Sequence, residues 1–180
     1  MKFLFFLLLI AQWSVLGALE TSSFITRQAR IEDLDVLFEL VCEFGELEEE
    51  HFITLALTKA NLRRYVFGKT PYCRIELAEN QNGIVGYALY SYGYSAELGA
   101  PFLYLDELYV KPADREAGIG SGLLKQLALY AKEMDCCSME WHVLDRNDQA
   151  ISFYHDLGGV IRGDLLLMQM DRETYYNLAQ

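Results

Sequence analysis

Arg115, Glu116, Ala117, Gly118, Ile119, Gly120 and Ser121 follow an apolar, strand-like run from Tyr104 to Val110. They precede a helix-like run that continues to about Met134. A strand, a glycine turn and a helix start make a place to hold an anionic phosphate. The first backbone N–H groups of a helix have no intrahelical partner, and the helix dipole favours negative charge beside them. Gly118 and Gly120 allow close backbone approach, and Arg115 adds a positive charge. The same residues also read as a plain glycine-rich connection, and on spacing alone the two readings stand level.

Other residues carry chemistry of a different kind. Asp106 and Glu107 are consecutive carboxylates inside an apolar strand. Alternation sends them to opposite faces, so one is costly to bury unless it is paired, hydrated or functional. A salt-bridged pair at a strand edge is the competing account. Tyr154 lies on a short helix, as a proton donor or as an aromatic core residue. Asn147 is placed to cap that helix. His142 and His155 show no carboxylate partner in the sequence and read as structural or exposed. Cys42, Cys73, Cys136 and Cys137 include no Cys-x-x-Cys pair, and the histidines are His51, His142 and His155, so no metal site is expected.

The elements that position these residues follow from periodicity. Phe24–Ala29 reads as a first strand. From Ile31, apolar residues Leu34, Leu37, Phe38, Val41 and Phe44 recur at helical spacing, and an acidic break from Glu46 to His51 follows. That break reads as a solvated stretch or as a rim attractive to amines. Thr58–Val66 reads as a second helix. Tyr72–Ala78 and Ile84–Tyr94 read as a hairpin whose turn, through Asn80–Gly83, exceeds two residues. Phe102–Lys111 is the central strand. Ile119, Leu123, Leu124, Leu127 and Ala131 make the apolar face of a sheet-covering helix. Ser138–Val143 reads as a strand and Ala150–Leu157 as a helix ended by Gly158-Gly159. Val160-Ile161 and Leu165–Met170 fit a last strand or bent hairpin, and Asp171–Leu178 a terminal helix.

The chain has 180 residues, of which 52% are hydrophobic, enough for one domain with a proper core. Its net charge of −11 argues against nucleic acid as a partner and suits a cationic small molecule. Met1-Lys2, an apolar run to Ile10 and small residues at Gly17-Ala18 describe a secretory signal peptide over residues 1–17, with an uncleaved signal anchor and a mispredicted start codon as the alternatives. That run is short for a stable membrane span.

The order of elements, together with Arg115-x-x-Gly118-x-Gly120, resembles the GNAT (Gcn5-related N-acetyltransferase) family from about Phe24 to Gln180. The resemblance implies an α/β (α+β) fold, with a mixed, mostly antiparallel central sheet flanked by helices. Tyr104–Glu107, Gly118–Ser121, Cys137–Met139 and Leu144–Asn147 are similar to the diamine branch, the spermidine/spermine and thialysine acetyltransferases. Three positions depart from that branch. Arg146 replaces a tryptophan, Gly163-Asp164-Leu165 a Gly-Trp, and Ser95-Ala96-Glu97 an Asp-Pro-Trp.

The resemblance implies acetyl-CoA as donor, held by Arg115 to Ser121, by the backbone of Leu108, Tyr109 and Val110, and by Asn147 and Tyr154. It implies Asp106 near the acceptor amine with Glu107 beside it, and Tyr154 as the acid that protonates the leaving thiolate. The expected activity is acetyl transfer to a primary amine of a small molecule, of diamine, polyamine or lysine-analogue type, by direct attack. A protein lysine or N-terminal acetyltransferase and an acyl-CoA-binding module without turnover are the alternatives. The resemblance also implies a homodimer and a cytoplasmic location, against the secretory pathway that residues 1–17 imply.

Overall fold

The computed structural model describes residues 23–47 and 58–180. The signal-like Met1–Gly17 and residues 48–51 of the acidic break lie outside them. Five strands form one sheet in the order β1-β2-β3-β4-β5: β1 Phe24–Gln28, β2 Arg74–Asn80, β3 Gly83–Ser95, β4 Ala100–Val110 and β5 Met139–Trp141. Neighbours are antiparallel except β4 and β5, which run parallel. The helices are α1 Leu34–Leu47, α2 Lys59–Tyr65, α3 Ile119–Glu133, α4 Asp148–Asp156 and α5 Arg172–Leu178. A mixed, mostly antiparallel sheet flanked by helices is therefore what the chain builds.

The sheet is covered on both faces. Ile75, Leu77, Tyr87 and Tyr109 pack with Leu34, Leu37, Leu40 and Leu62 of α1 and α2. Ala78, Ala88, Tyr90, Leu103 and Leu105 pack with Ile119, Leu123 and Leu127 of α3. Strands buried on both faces lose the simple polar–apolar alternation, which is why β2 carries buried residues at consecutive positions.

Several element ends differ from the sequence reading. Ile31–Asp33 forms a 3-10 turn, and the α-helix starts at Leu34. Asp33 ties this turn to the sheet: it accepts from the Arg30 N–H at 2.7 Å and, through both carboxylate oxygens, from the Arg27 guanidinium at 2.8 and 2.9 Å. The β2–β3 turn is two residues, not more, because Asn80 pairs with Gly83. Asn80 Oδ1 accepts the Asn82 N–H at 2.8 Å, and Gly83 takes φ +101°. Thr58 and Asp171 cap their helices, accepting from Asn61 N and Thr174 N.

The expected last strand does not form. Residues 165–170 carry no strand pairing, and Leu166 and Met168 are 89% and 87% exposed. β5 is only three residues long and offers a short outer edge. The apolar pattern of this segment is thus not satisfied within the described residues.

Candidate active site

The end of β4 feeds the glycine turn through a 3-10 turn at Pro112–Asp114. Arg115 Nε donates to the Val110 carbonyl at 3.0 Å, folding the loop back on its strand. Asn80 holds Asp114 with a 2.8 Å bond from Nδ2 to Oδ1. Glu116 (φ +64°) and Gly118 (φ +76°) are left-handed on either side of Ala117. Such a loop turns its N–H groups toward a common side, a geometry suited to anions. Gly118 caps α3 with no side-chain hydrogen bond. The first intrahelical bond runs from Gly122 N to Gly118 O at 2.9 Å, so the N–H groups of Ile119, Gly120 and Ser121 precede it. A Cβ on Gly120 would stand 3.3 Å from the Phe153 ring. The Ile119 side chain anchors this helix start in the core.

β4 and β5 stay together over three rungs, Leu103 with Met139, Tyr104 with Glu140 and Leu105 with Trp141. Beyond Leu105 and Trp141 they pair no further. Glu107 to Val110 therefore keep their pairing to β3 on one side, and among the described residues no strand pairs with their other edge. Leu108 and Val110 send side chains toward the α3 core. Tyr109 is buried on the α1 side, its hydroxyl donating to Glu43 at 3.1 Å. These side chains are structural, and the edge is a main-chain feature.

Asp106 is the extra residue of a β-bulge: Leu89 pairs with Glu107, and Tyr90 with Leu105. The bulge breaks the alternation that would put the two carboxylates on opposite faces. Both act on the Tyr87 phenol and the Cys73 thiol, whose pKa values rise through burial first and through these carboxylates next. Glu107 accepts a 2.6 Å hydrogen bond from the buried Tyr87 hydroxyl. Burial raises the Asp106 carboxyl above the usual range, and His142 opposes that rise. His142, for which the sequence shows no carboxylate partner, is exposed and sits 2.9 Å through Nδ1 from the Tyr104 hydroxyl. No sequence signal marks that pair, because only the β4–β5 register brings it together.

On the far side of the opening, Asn147 Oδ1 accepts from Ala150 N at 3.1 Å and caps α4. Tyr154 packs its ring 5.0 Å from that of Trp141, and burial alone pushes its phenol up to about 12. Gly159 closes the helix end with a 2.9 Å bond from its N–H to the Tyr154 carbonyl.

Residues 34–158 match the family described as the acetyltransferase (GNAT) family. The chain belongs to that family. Thialysine N-ε-acetyltransferase of Bos taurus is 33% identical to this acetyltransferase over 140 residues, covering 73% of this chain and 81% of that protein. Spermidine/spermine N(1)-acetyltransferase-like protein 1 of Homo sapiens is 31% identical over 141 residues, covering 74% of this chain and 20% of that one. Among solved structures, an integron cassette protein from the mobile metagenome of V. cholerae shares the fold with a TM-score of 0.72 at 23% identity, over 88% of this chain and 98% of that one.

The acetyltransferase thus carries the Arg115–Ser121 turn at the end of β4, Asp106 on the bulge, and Asn147 and Tyr154 in the elements that follow β5, with Gly120 beside the Phe153 ring and Tyr154 beside Trp141. The departures from the diamine branch fall in loops and at a strand end. Arg146 is exposed in the loop before α4, Ser95 ends β3, and Asp164 pairs with Arg162 at 3.1 Å on the surface.

Proposed function

We propose that this acetyltransferase moves the acetyl group of acetyl-CoA to a primary amine of a small molecule of the diamine or lysine-analogue class. One observation carries this reading: β4 and β5 part at Leu105 and Trp141, with Asp106 bulged at the mouth and the uncapped start of α3 at the far end of β4. The residues fit the donor. The N–H groups from Gly118 to Ser121 suit a pyrophosphate, and the open edge of Leu108, Tyr109 and Val110 suits an amide-bearing arm. Bound acetyl-CoA supplies the acyl thioester.

The residues around it supply the rest. Asp106 attracts an ammonium and takes its proton, directly or through water. A backbone N–H of the β4 edge faces the carbonyl oxygen as charge grows there. Tyr154 keeps its proton through the neutral range, since burial holds its phenol at about 12, and gives it to the departing thiolate. Glu107 is already engaged by Tyr87, so the working carboxylate is Asp106. The small-amine class is favoured by the names of the relatives, which are thialysine and spermidine/spermine enzymes. The departures at Arg146, Ser95–Glu97 and Gly163–Leu165 point to an acceptor differing from the polyamines.

We also infer a homodimer. Exposed apolar residues 165–168 seek a cover, and among the described residues no strand pairs with the outer edge of β5. From the basic, apolar Met1–Gly17 leader we infer entry into the secretory pathway.

The test is acetyl-CoA turnover by the chain from Ala18 onward against spermidine, thialysine and basic peptides. Acetylation of a small amine above the peptides is the expected result. CoA binding without transfer to any amine would overturn the enzyme reading, and preference for peptides would overturn the acceptor class.

A further inference from the structure

A proton taken at Asp106 needs somewhere to go. A carboxyl that keeps it no longer carries the charge that attracts the next ammonium. The rung between Leu105 and Trp141 is the last between β4 and β5, and the next residues are Asp106 on one strand and His142 on the other. These two stand on opposite lips of the opening: His142 is exposed, and Asp106 is reached by solvent although its carboxyl is partly enclosed. His142 Nδ1 is 2.9 Å from the Tyr104 hydroxyl, and the two rings meet edge-on with centroids 5.6 Å apart. The Asp106 carboxylate acts electrostatically on both Tyr104 and His142. The Tyr104 hydroxyl and the His142 ring thus meet directly, and Asp106 lies two residues along β4 from Tyr104, just past the last β4–β5 rung. The facing titratable groups are Tyr104 and Asp106 from β4, with Cys73 of the segment before β2 next to Asp106. Imidazole is the side chain whose ordinary protonation falls near neutral pH, between a carboxylate and an amine.

We propose that Tyr104 and His142 form a proton exit from the acceptor site. Asp106, or its bridging water, releases the amine-derived proton to Tyr104 Oη while the Tyr104 hydroxyl proton passes to His142 Nδ1. One O–H bond breaks and one forms at the phenol, and one N–H bond forms at the imidazole. The electron pair of the original ammonium N–H stays on the amine nitrogen for attack. The imidazolium beside the restored Asp106 carboxylate then loses its Nε2 proton to water, and exchange with solvent moves the remaining Nδ1 proton back to Nε2, so that Nδ1 again accepts from Tyr104 before the next cycle. This rests on the amine-acetylation reading and adds to it a route that neither the glycine turn nor Tyr154 requires.

Two measurements test it. The first is acetyl transfer to thialysine or spermidine from pH 5.5 to 10 by the wild type, His142→Gln and Tyr104→Phe. Each variant loses roughly ten- to a hundredfold in kcat at pH 7, and the loss shrinks as pH nears the amine's own pKa. The KM for acetyl-CoA stays unchanged. Wild-type rates at pH 7 in both variants would overturn the proposal. The second measurement needs no turnover: nitrogen-15 resonance of the His142 ring in the whole protein. The neutral ring is expected to carry its proton on Nε2, with Nδ1 accepting from Tyr104. A proton on Nδ1 would overturn the exit. Absence of turnover in the wild type would strike the amine reading, while the ring spectrum decides the exit alone.

Discussion

The Tyr87 hydroxyl donates a 2.6 Å hydrogen bond to Glu107, from a fully buried ring to a carboxylate on the central strand. The bond satisfies a charge that the fold draws in from solvent. Tyr87→Phe removes the donor and keeps the ring volume. Glu107 is part-buried, and loss of one hydrogen bond to such a carboxylate costs about 1 kcal/mol. Thermal unfolding of the variant is expected to show that loss, with CoA affinity little changed. An unaltered melting temperature would mean that water replaces the bond at no cost.

Asp106→Asn and Tyr154→Phe remove proton-handling groups and leave the backbone cradle in place. Each should slow acetyl transfer by roughly a hundredfold or more, the size expected for a lost acid or base. Binding of CoA, followed by calorimetry, should hold near the wild-type value. Full rates in both variants would remove these residues from the reaction.

Gly118 takes φ +76°, and a Cβ there would meet nothing within 4 Å. The cost of Gly118→Ala is therefore conformational rather than steric, about 1 kcal/mol. Because this residue sets the start of α3, the KM for acetyl-CoA should rise several-fold while kcat at saturation changes little. Equal KM values would dissociate the turn from the donor.

Glu76 is buried under α3, accepting from the Tyr130 hydroxyl at 3.0 Å. Burial raises its carboxyl pKa, against the opposing bonds from Tyr130 and Thr26. The folded state therefore holds this proton more tightly than the unfolded chain. The resulting stability is fully present below the unfolded carboxyl pKa and is lost as pH rises through the folded one. Glu76→Gln should thus raise the melting temperature at pH 8 relative to wild type, with a smaller difference at pH 4. A larger difference at the acid end would reverse the sign of this argument.

Leu166 and Leu167 stand 89% and 71% exposed on a segment that pairs with no strand. If a second copy covers them, Leu166→Asp with Leu167→Asp should halve the particle mass in light scattering. The monomer's own cores would be untouched. A wild-type chain that runs as a monomer at high concentration would dismiss the pairing.

Sequence alone determined the features built from near neighbours. The Asn147 cap, the existence though not the length of the Asn80–Gly83 turn, and the Arg115–Ser121 loop each depend on residues a few positions apart. The α1 and α3 apolar faces were legible for the same reason, since helical periodicity is local. Family resemblance added Asp106 and Tyr154 as the pair to watch. Tertiary structure alone decided what depends on register. The bulge that frees Asp106 exists because β4 fits β3 with one residue to spare, and alternation within β4 cannot reveal a slip against its neighbour. The parting of the strands after Leu105 and Trp141, and the meeting of Tyr104 with His142 across 38 positions of sequence, follow from parallel pairing at a sheet edge. The glycine turn told which donor to expect; the strand register decided what stands opposite it.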